Sequence, residues 1–285
     1  MKTKRMIAGT MCAVALLGLT ACSSKEPQTA QEVVDAYTAA VDGKGYSMDG
    51  QMEMNISMRF GEELDNMEAS IPMSIAITAD SFGEAMHGIL DISTDAMGET
   101  ASSTAELYTN VEDSQVVQYM NTDGDGWVRQ NVDVPGFSSM LNTSGGRTVP
   151  DGATFEKVAD TYVVTEPLAG TLESEEMESL MQGLGIADPG VDYSEILKDA
   201  VITTTYDAES GYLLSMDLPE FNFDVLNEME LEESTEENQS IDASASITLS
   251  MRATFSNYGE VTADSVAVPA TVAENASPAT AGDMG

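Results

Sequence analysis

Two long segments of this chain alternate between apolar and polar residues. From Tyr46 to Phe60 the even positions are apolar or glycine and the odd positions are polar, and 241–255 repeats this alternation. Because successive side chains of a strand point to opposite faces, each segment predicts a strand with one buried and one solvated face. Fifteen extended residues span about 50 Å. This length predicts a strongly coiled sheet, with Gly50 as a place to bend.

Shorter segments of the same kind predict further strands. They alternate apolar and polar residues, or are short and apolar, and they cover residues 71–79, 86–92, 116–121, 127–132, 200–206 and 212–218. The segments 122–126 and 207–211, rich in Asp and Gly or Ser, separate two of these pairs. Such spacing predicts two β-hairpins. The strands therefore follow one another as an antiparallel meander.

Helical signals are fewer than strand signals. Residues 29–32 form a capping box, in which Thr29 caps a helix and Glu32 reaches back. The apolar residues that follow share one helical face as far as Val41. Residues 177–184 have helical spacing, and 193–200 form a short second turn, whereas 135–152 and 228–240 are loop or solvated connection.

The first residues have the layout of a secretory signal. Three basic residues precede an apolar segment from Met6 to Leu19, and Leu19-Thr20-Ala21-Cys22 closes it. This box resembles the lipobox of bacterial lipoproteins, which implies a diacylglyceryl thioether on Cys22. Two acyl chains suffice for stable anchoring at the extracytoplasmic face of the cell membrane. An uncut transmembrane anchor is the alternative, but the apolar segment is shorter than the roughly 20 residues of a span.

The charge and cysteine content of the chain limit the kinds of partner and cross-link that are expected. The chain has 11 Lys and Arg against 49 Asp and Glu, a formal net charge of −38. Such a surface repels nucleic acid and anionic lipid headgroups, so no nucleic-acid partner is expected. It favours solubility outside the cell, with diffuse binding of divalent cations as the alternative. Cys12 lies in the signal, and lipidation would consume Cys22, so the mature chain is left without a disulfide or a cysteine metal site.

The layout as a whole resembles the LolA/LppX-like family of lipoproteins and lipoprotein carriers. The resemblance rests on the lipobox at Cys22, the helix of residues 29–41, Tyr46-Ser47-Met48-Asp49, the hairpins at 123–128 and 206–213, and the closing segments 255–259 and Val268-Pro269. It implies an α+β fold: a curled antiparallel β-sheet, an open half-barrel, with two or three helices packed on its concave face. Several members hold lipid or acyl chains in between. The lipobox and the acidity of this chain depart from the carrier subgroup.

These observations predict four regions. Residues 1–21 are the signal peptide, 22–28 the lipidated tether, 29–270 one LolA/LppX-like domain, and 271–285 a low-complexity disordered tail.

Methionines mark the predicted ligand site. Many of the 19 methionines occupy inward positions of the strands, and methionine suits adaptable apolar surfaces. We predict contacts with a hydrophobic ligand from Met52, Met54, Ile56, Met58, Met73, Ile75 and Met251, with the single tryptophan, Trp127, at the cavity mouth. Ordinary core filling stays open as an alternative. A Cu(I) site is disfavoured because the thioethers are spread over a face.

No catalytic or metal constellation is predicted. Residues 121–128 resemble the start of an EF-hand loop, but Val132 stands where a bidentate Glu is needed, which favours a hairpin turn. His87 is the only histidine and faces away from Met86 and Gly88, as a solvated strand residue. We therefore expect no enzyme activity, no cofactor and no bound metal.

The sequence leaves two functions open. The first is a lipid-anchored, non-enzymatic protein that binds a lipid or other hydrophobic molecule between sheet and helices. The second is a structural or regulatory cell-surface protein, with a filled core, that binds a protein partner on its acidic face.

Overall fold

The described part of the molecule is one large open β-sheet. A computed structural model describes residues 26–60, 68–96, 99–112, 115–132, 148–171, 197–226 and 243–279. Its strands are β1 Tyr46–Phe60, β2 Glu68–Phe82, β3 Ala85–Ala96, β4 Glu99–Glu112, β5 Gln115–Thr122, β6 Val128–Val132, β7 Thr154–Val158, β8 Thr161–Pro167, β9 Val201–Asp207, β10 Leu213–Leu226, β11 Ala243–Ser256 and β12 Ser277–Pro278. Its helices are α1 Ala30–Val41, α2 Leu168–Thr171, α3 Ala263–Val266 and α4 Ala270–Asn275.

The 12 strands follow the order β12-β6-β5-β4-β3-β2-β1-β11-β10-β9-β8-β7. Neighbouring strands are antiparallel except β12 and β6, which are parallel. Two meanders, β2–β6 and β7–β10, thus flank the central pair of β1 and β11. This arrangement confirms the predicted sheet-rich, open antiparallel fold.

The two long alternating segments form that central pair. Ser47 lies opposite Ser256, and the register continues without a shift to Phe60 opposite Ala243. Directly paired residues share a face, so the apolar residues of both strands collect on one side of the sheet. We call this side the α1 face and the other side the opposite face.

Helix α1 covers one end of the α1 face. Thr29 caps it, accepting a hydrogen bond from the Glu32 backbone N–H at 3.2 Å. The Glu32 carboxylate in turn accepts from the backbone N–H of Gln28, one residue earlier than the capping box predicts. The apolar face of α1 packs on β1, β2 and β8–β11 in the α1 cluster, which includes Val33, Val34, Tyr37, Val41, Met48, Val164 and Phe255. Each fully buried side chain of this size contributes roughly 1.5–3 kcal/mol.

The helix content differs from the prediction of two or three helices on one face. Among the described residues only α1 has more than two turns, and α2 to α4 have four to six residues each. Leu168 of α2 packs on the α1 face, whereas Val272 of α4 packs on the opposite face. The predicted helix at 177–184 lies outside the described residues. No described helix is long and apolar enough to cross a membrane.

The segment after residue 270 corrects the predicted disordered tail. Residues 270–275 form α4, and Ser277–Pro278 add the short strand β12 to β6. The Ser277 N–H donates to the Trp127 carbonyl and the Ala279 N–H to the Arg129 carbonyl, both at 2.9 Å. Buried Val272 anchors the segment against the sheet. Residues 280–285 lie outside the described part of the chain.

Candidate functional site

All the predicted ligand residues except Trp127 lie together on the α1 face. Across the central strands they form successive rows: Ile75–Met52–Met251, Met73–Met54–Leu249, Ile71–Ile56–Ile247 and Ala69–Met58–Ala245. We call these residues the methionine patch. It continues the apolar side of β1 and β11 beyond the α1 cluster.

The patch is covered unevenly. Met54 is 7 % exposed and Ile247 only 2 %, because Leu168, Leu197, Ala200 and Leu218 pack on them. Met52, Ile56, Met58, Met73, Ile75 and Met251 remain half-buried. The described residues thus fill the patch most completely beside β10 and least toward β2.

Two backbone hydrogen bonds hold the covering residues in place. The Leu168 N–H donates to the Ala200 carbonyl at 2.8 Å, and the Ala200 N–H donates to the Leu197 carbonyl at 3.0 Å. Leu168 and Leu197 are each 2 % exposed. Together they form a fixed apolar wall at one side of the methionine patch.

Chemically, the patch offers dispersion contacts to an apolar molecule. Methionine side chains are flexible and polarizable, so their surface adapts to irregular shapes. Thr94 lies opposite Met73 and supplies a hydroxyl group beside the rows. An apolar molecule seated there would gain about 25 cal/mol for each Å² of apolar surface removed from water.

Glu166 is a buried carboxyl group near the patch that the sequence analysis missed. It lies on the α1 face of β8, between Val164 of the α1 cluster and Leu168 of the patch wall, and it is 0 % exposed. The alternation Tyr162, Val164, Glu166, Leu168 carries the signal, because Glu occupies a position that the strand periodicity assigns to the core.

Trp127 lies on the other side of the sheet from the methionine patch. Its ring packs on Tyr108 with the centroids 5.6 Å apart, and Val268, Val272 and Ala276 complete the cluster. The prediction that it contacts the same ligand as the methionines is therefore wrong in geometry. Trp127 instead anchors the C-terminal segment.

His87 shares that opposite face and is half-buried rather than solvated. Its Nε2 lies 3.0 Å from Glu106 Oε1, and its ring stacks on Tyr108 at 4.3 Å. Burial, followed by the Glu106 charge, raises the pKa of Tyr108 above its ordinary value. The group is a packed polar cluster with no nucleophile hydrogen-bonded to His87 among its described contacts.

The EF-hand-like segment forms a hairpin turn. The Asp123 carboxylate accepts from the Thr104 N–H at 2.8 Å and the Ser103 hydroxyl at 3.0 Å, and Asn121 Oδ1 accepts from the Gly126 N–H. Asp123 and Gly124 have φ of 52° and 83°, as such a tight turn requires. The described residues contain no group of three or more His, Cys, Asp or Glu that could hold a metal ion.

Two open clefts lie on the opposite face, behind the methionine patch. One, of about 430 Å³, is lined by polar residues such as Glu53, Asn55 and Thr248 together with apolar Met54, Pro72 and Met73. The other, of about 350 Å³, lies beside the Arg59–Glu68 ion pair and is lined by serines of β1, β2 and β11. Met54 and Met73 also line the first cleft and Met58 the second, so both clefts share residues with the predicted apolar site.

Comparison with known proteins gives little further information. The chain matches no family model and no curated protein. Among solved structures it is similar to a DUF1329 family protein from Desulfovibrio piger, with 12 % identity over 80 % of this chain and 91 % of that chain, at a TM-score of 0.24. The resemblance to the LolA/LppX-like family stays a prediction. Cys22 lies outside the described residues.

Proposed function

We propose that this protein is a non-enzymatic bacterial lipoprotein that holds a lipid or other hydrophobic molecule between sheet and helices. Cys22 anchors it to the extracytoplasmic face of the cell membrane. In this proposal the open sheet is curled into a half-barrel, and its concave side is the α1 face.

One observation carries the ligand proposal: the half-buried apolar rows of the methionine patch. Met52 and Met73 and their neighbours lie on the central strands, where rigid pairing on both sides fixes their backbone. Contiguous apolar surface that is not fully covered marks an interaction site more often than a single exposed apolar residue does. The flexible side chains suit ligands of varied shape.

The experiment uses lipidated protein extracted from membranes without denaturant. Native mass spectrometry should show a diacylglyceryl group on Cys22 and an additional hydrophobic molecule. The double variant Met52→Gln with Met73→Gln should take up a fluorescent fatty acid several-fold less than the natural protein. Met120→Gln, a half-buried methionine of β5 on the same face, is the matched control and should bind normally. An unliganded mass together with no uptake by the natural protein would overturn the ligand proposal.

A second candidate is a structural or regulatory cell-surface protein with a filled core. The packing of Leu168 and Leu197 on Met54 and Ile247 favours it. It predicts no fatty-acid uptake, and it predicts that charge reversals on the acidic opposite face, such as Glu53→Lys, weaken partner binding. The uptake experiment separates the two functions.

A further inference from the structure

The two edges of the sheet differ in how far they are paired. At one edge β12 pairs with β6, whereas at the other edge β7 has β8 as its only neighbour among the described strands. Every residue of β7 except Phe155 is exposed, and Val158 is 48 % exposed. Unpaired strand edges invite pairing with another strand, and proteins usually protect them. The β7 edge is therefore open to an added strand.

The hydrogen-bond pattern of the β7–β8 hairpin decides which backbone groups of β7 face outward. In an antiparallel ladder, successive residues of a strand bond alternately to the neighbour on one side and toward the other side. A two-residue turn at 159–160 joins β7 to β8, so its closing pair, Val158 and Thr161, exchanges backbone hydrogen bonds. By the alternation, Phe155 and Lys157 point their N–H and carbonyl groups away from β8. No hydrogen bond from another described segment reaches these groups.

The charged groups around this edge are mainly acidic. Lys157 is the only basic residue of the hairpin, and its Nζ lies 2.6 Å from Glu26 Oε1. Their hydrogen bond lowers the pKa of Glu26 and raises the pKa of Lys157, so both are charged at neutral pH and offset each other. The exposed acids Asp151, Glu156 and Asp160 have no cation against them among the described residues. The edge therefore carries a net negative charge.

We propose that β7 is a docking edge for an extended, basic segment of a partner protein, which adds to the sheet as a further strand. The backbone of that segment bonds to the outward N–H and carbonyl groups of Phe155 and Lys157, which supplies affinity. A lysine or arginine of the segment lies opposite Glu156 and forms a cross-strand ion pair with it. The proposal goes beyond the proposed function and stands whether or not the methionine patch holds a ligand.

Charge favours a basic partner over a second copy of this chain. If two β7 strands paired with each other, Glu156 of each copy would face the acidic edge of the other, and like charges that face each other across a ladder are destabilising. The whole chain has a formal net charge of −38, so two copies also repel each other before contact. A basic segment is attracted by the same charge.

The test measures binding of three synthetic peptides to the full protein, extracted without denaturant. The first peptide alternates lysine and valine, and the second has glutamate in place of each lysine. The third is the lysine peptide with every backbone amide N-methylated, which removes its hydrogen-bond donors and keeps its charges. Fluorescence anisotropy of the labelled peptides should show that the lysine peptide binds several-fold more tightly than either of the others.

A pair of charge reversals locates the binding site. Glu156→Lys should weaken binding of the lysine peptide several-fold, because it replaces an attraction across the ladder with a repulsion. Glu274→Lys is the matched control, because it changes the net charge by the same amount in α4, which lies by the other edge of the sheet. This variant should bind the lysine peptide as the natural protein does.

Three outcomes would overturn the proposal. The first is a lysine peptide that does not bind. The second is equal binding of the lysine peptide and its N-methylated form, or an equal loss in the two variants, which would indicate diffuse attraction to an acidic surface. The third is a dimer of the natural protein, detected by light scattering, that dissociates when the lysine peptide is added, which would assign the edge to a second copy of the chain.

Discussion

The two halves of the α1 face have the same alternation but different burial. On β1, Met48 lies under α1 and is 6 % exposed, whereas Met52, four residues along the same face, remains half-buried. Both are methionines in a regular strand with neighbours on each side. Strand periodicity therefore decides which face a side chain occupies, and the element packed above it decides how deeply it is buried.

The two halves of the α1 face also differ in how closely other elements approach the sheet. In the half covered by α1, Gly211 lies so near the helix that an added Cβ would meet the Ala36 carbonyl and Ala40 Cβ at 3.4 Å. Toward the far end of the strands, the structure shows open clefts on the opposite face instead. We expect the α1 half to carry stability and the methionine patch to tolerate change.

The largest expected effect comes from truncating matched methionines. Met48→Ala should lower the free energy of unfolding by about 2–5 kcal/mol, because it opens a cavity in a packed cluster. Met52→Ala should cost roughly 1 kcal/mol, since its side chain already contacts water. Urea denaturation of both variants measures the difference. Equal costs would show that the patch is as well covered as the α1 cluster.

A smaller effect is expected at two glycines of the same region. At Gly45 an added Cβ would lie 2.7 Å from the Ser81 carbonyl oxygen and 2.8 Å from that of Val261, so Gly45→Ala should cost about 1–3 kcal/mol. At Gly50 the nearest atom is Ile77 Cβ at 3.7 Å, and Ala there should raise stability by about 0.5 kcal/mol. The midpoint of thermal unfolding should move in opposite directions. A fall for Gly50→Ala would contradict the spacing there.

The smallest effect depends on pH and concerns the β9–β10 turn beside α1. Asp207 Oδ1 accepts from the Ser210 hydroxyl and N–H, both at 2.7 Å, and from the Glu209 N–H at 3.2 Å. The Ser210 hydroxyl, then its N–H, holds the pKa of Asp207 below its ordinary value of 3.8. Because the pKa of Asp207 is lower in the folded than in the unfolded state, the stabilisation is fully present above the ordinary value of 3.8. It is lost as the pH falls through the folded pKa.

Asp207→Ala should therefore cost less than about 1 kcal/mol at neutral pH, since the carboxylate is largely solvated. The cost should shrink at a pH well below 3.8, when the natural carboxyl is protonated as well. Urea denaturation at both pH values measures it. Glu209→Ala removes a charge from the same turn as the control. A cost for Asp207→Ala that stays constant with pH would exclude the carboxylate as its source.

The sequence predicted the strands whose apolar positions carry large side chains and missed others. β4 was missed because its α1 face carries Ala101, Ser103 and Ala105, which are too small to give a hydrophobic alternation. β8 was missed because Glu166 interrupts an otherwise apolar row. The C-terminal segment was assigned to disorder from its composition, although Val268 and Val272 are enough to seat it on the sheet.

The sequence also predicted part of the candidate site, because apolar alternation along the long strands fixes which face each side chain occupies. The alternation of inward and outward positions along β1, β2 and β11 correctly placed the methionines on one face, because the register between these strands has no shifts. Trp127 was misplaced because a residue before a strand has no alternation of its own to fix its face. Leu168 and Leu197 reach the patch through tertiary packing, which leaves no periodic signal.

The pairing of β1 with β11 has a kinetic consequence. Ser47 and Ser256 are partners at the centre of the sheet, although almost the whole domain separates them in sequence. The meanders on either side can form from local contacts as synthesis proceeds, but β1 cannot pair with β11 until this last long strand has been synthesised. Contacts of such large sequence separation form slowly, and until they form the unpaired edge of β1 is exposed to aggregation. We therefore expect the closing of this central pair to limit the folding rate.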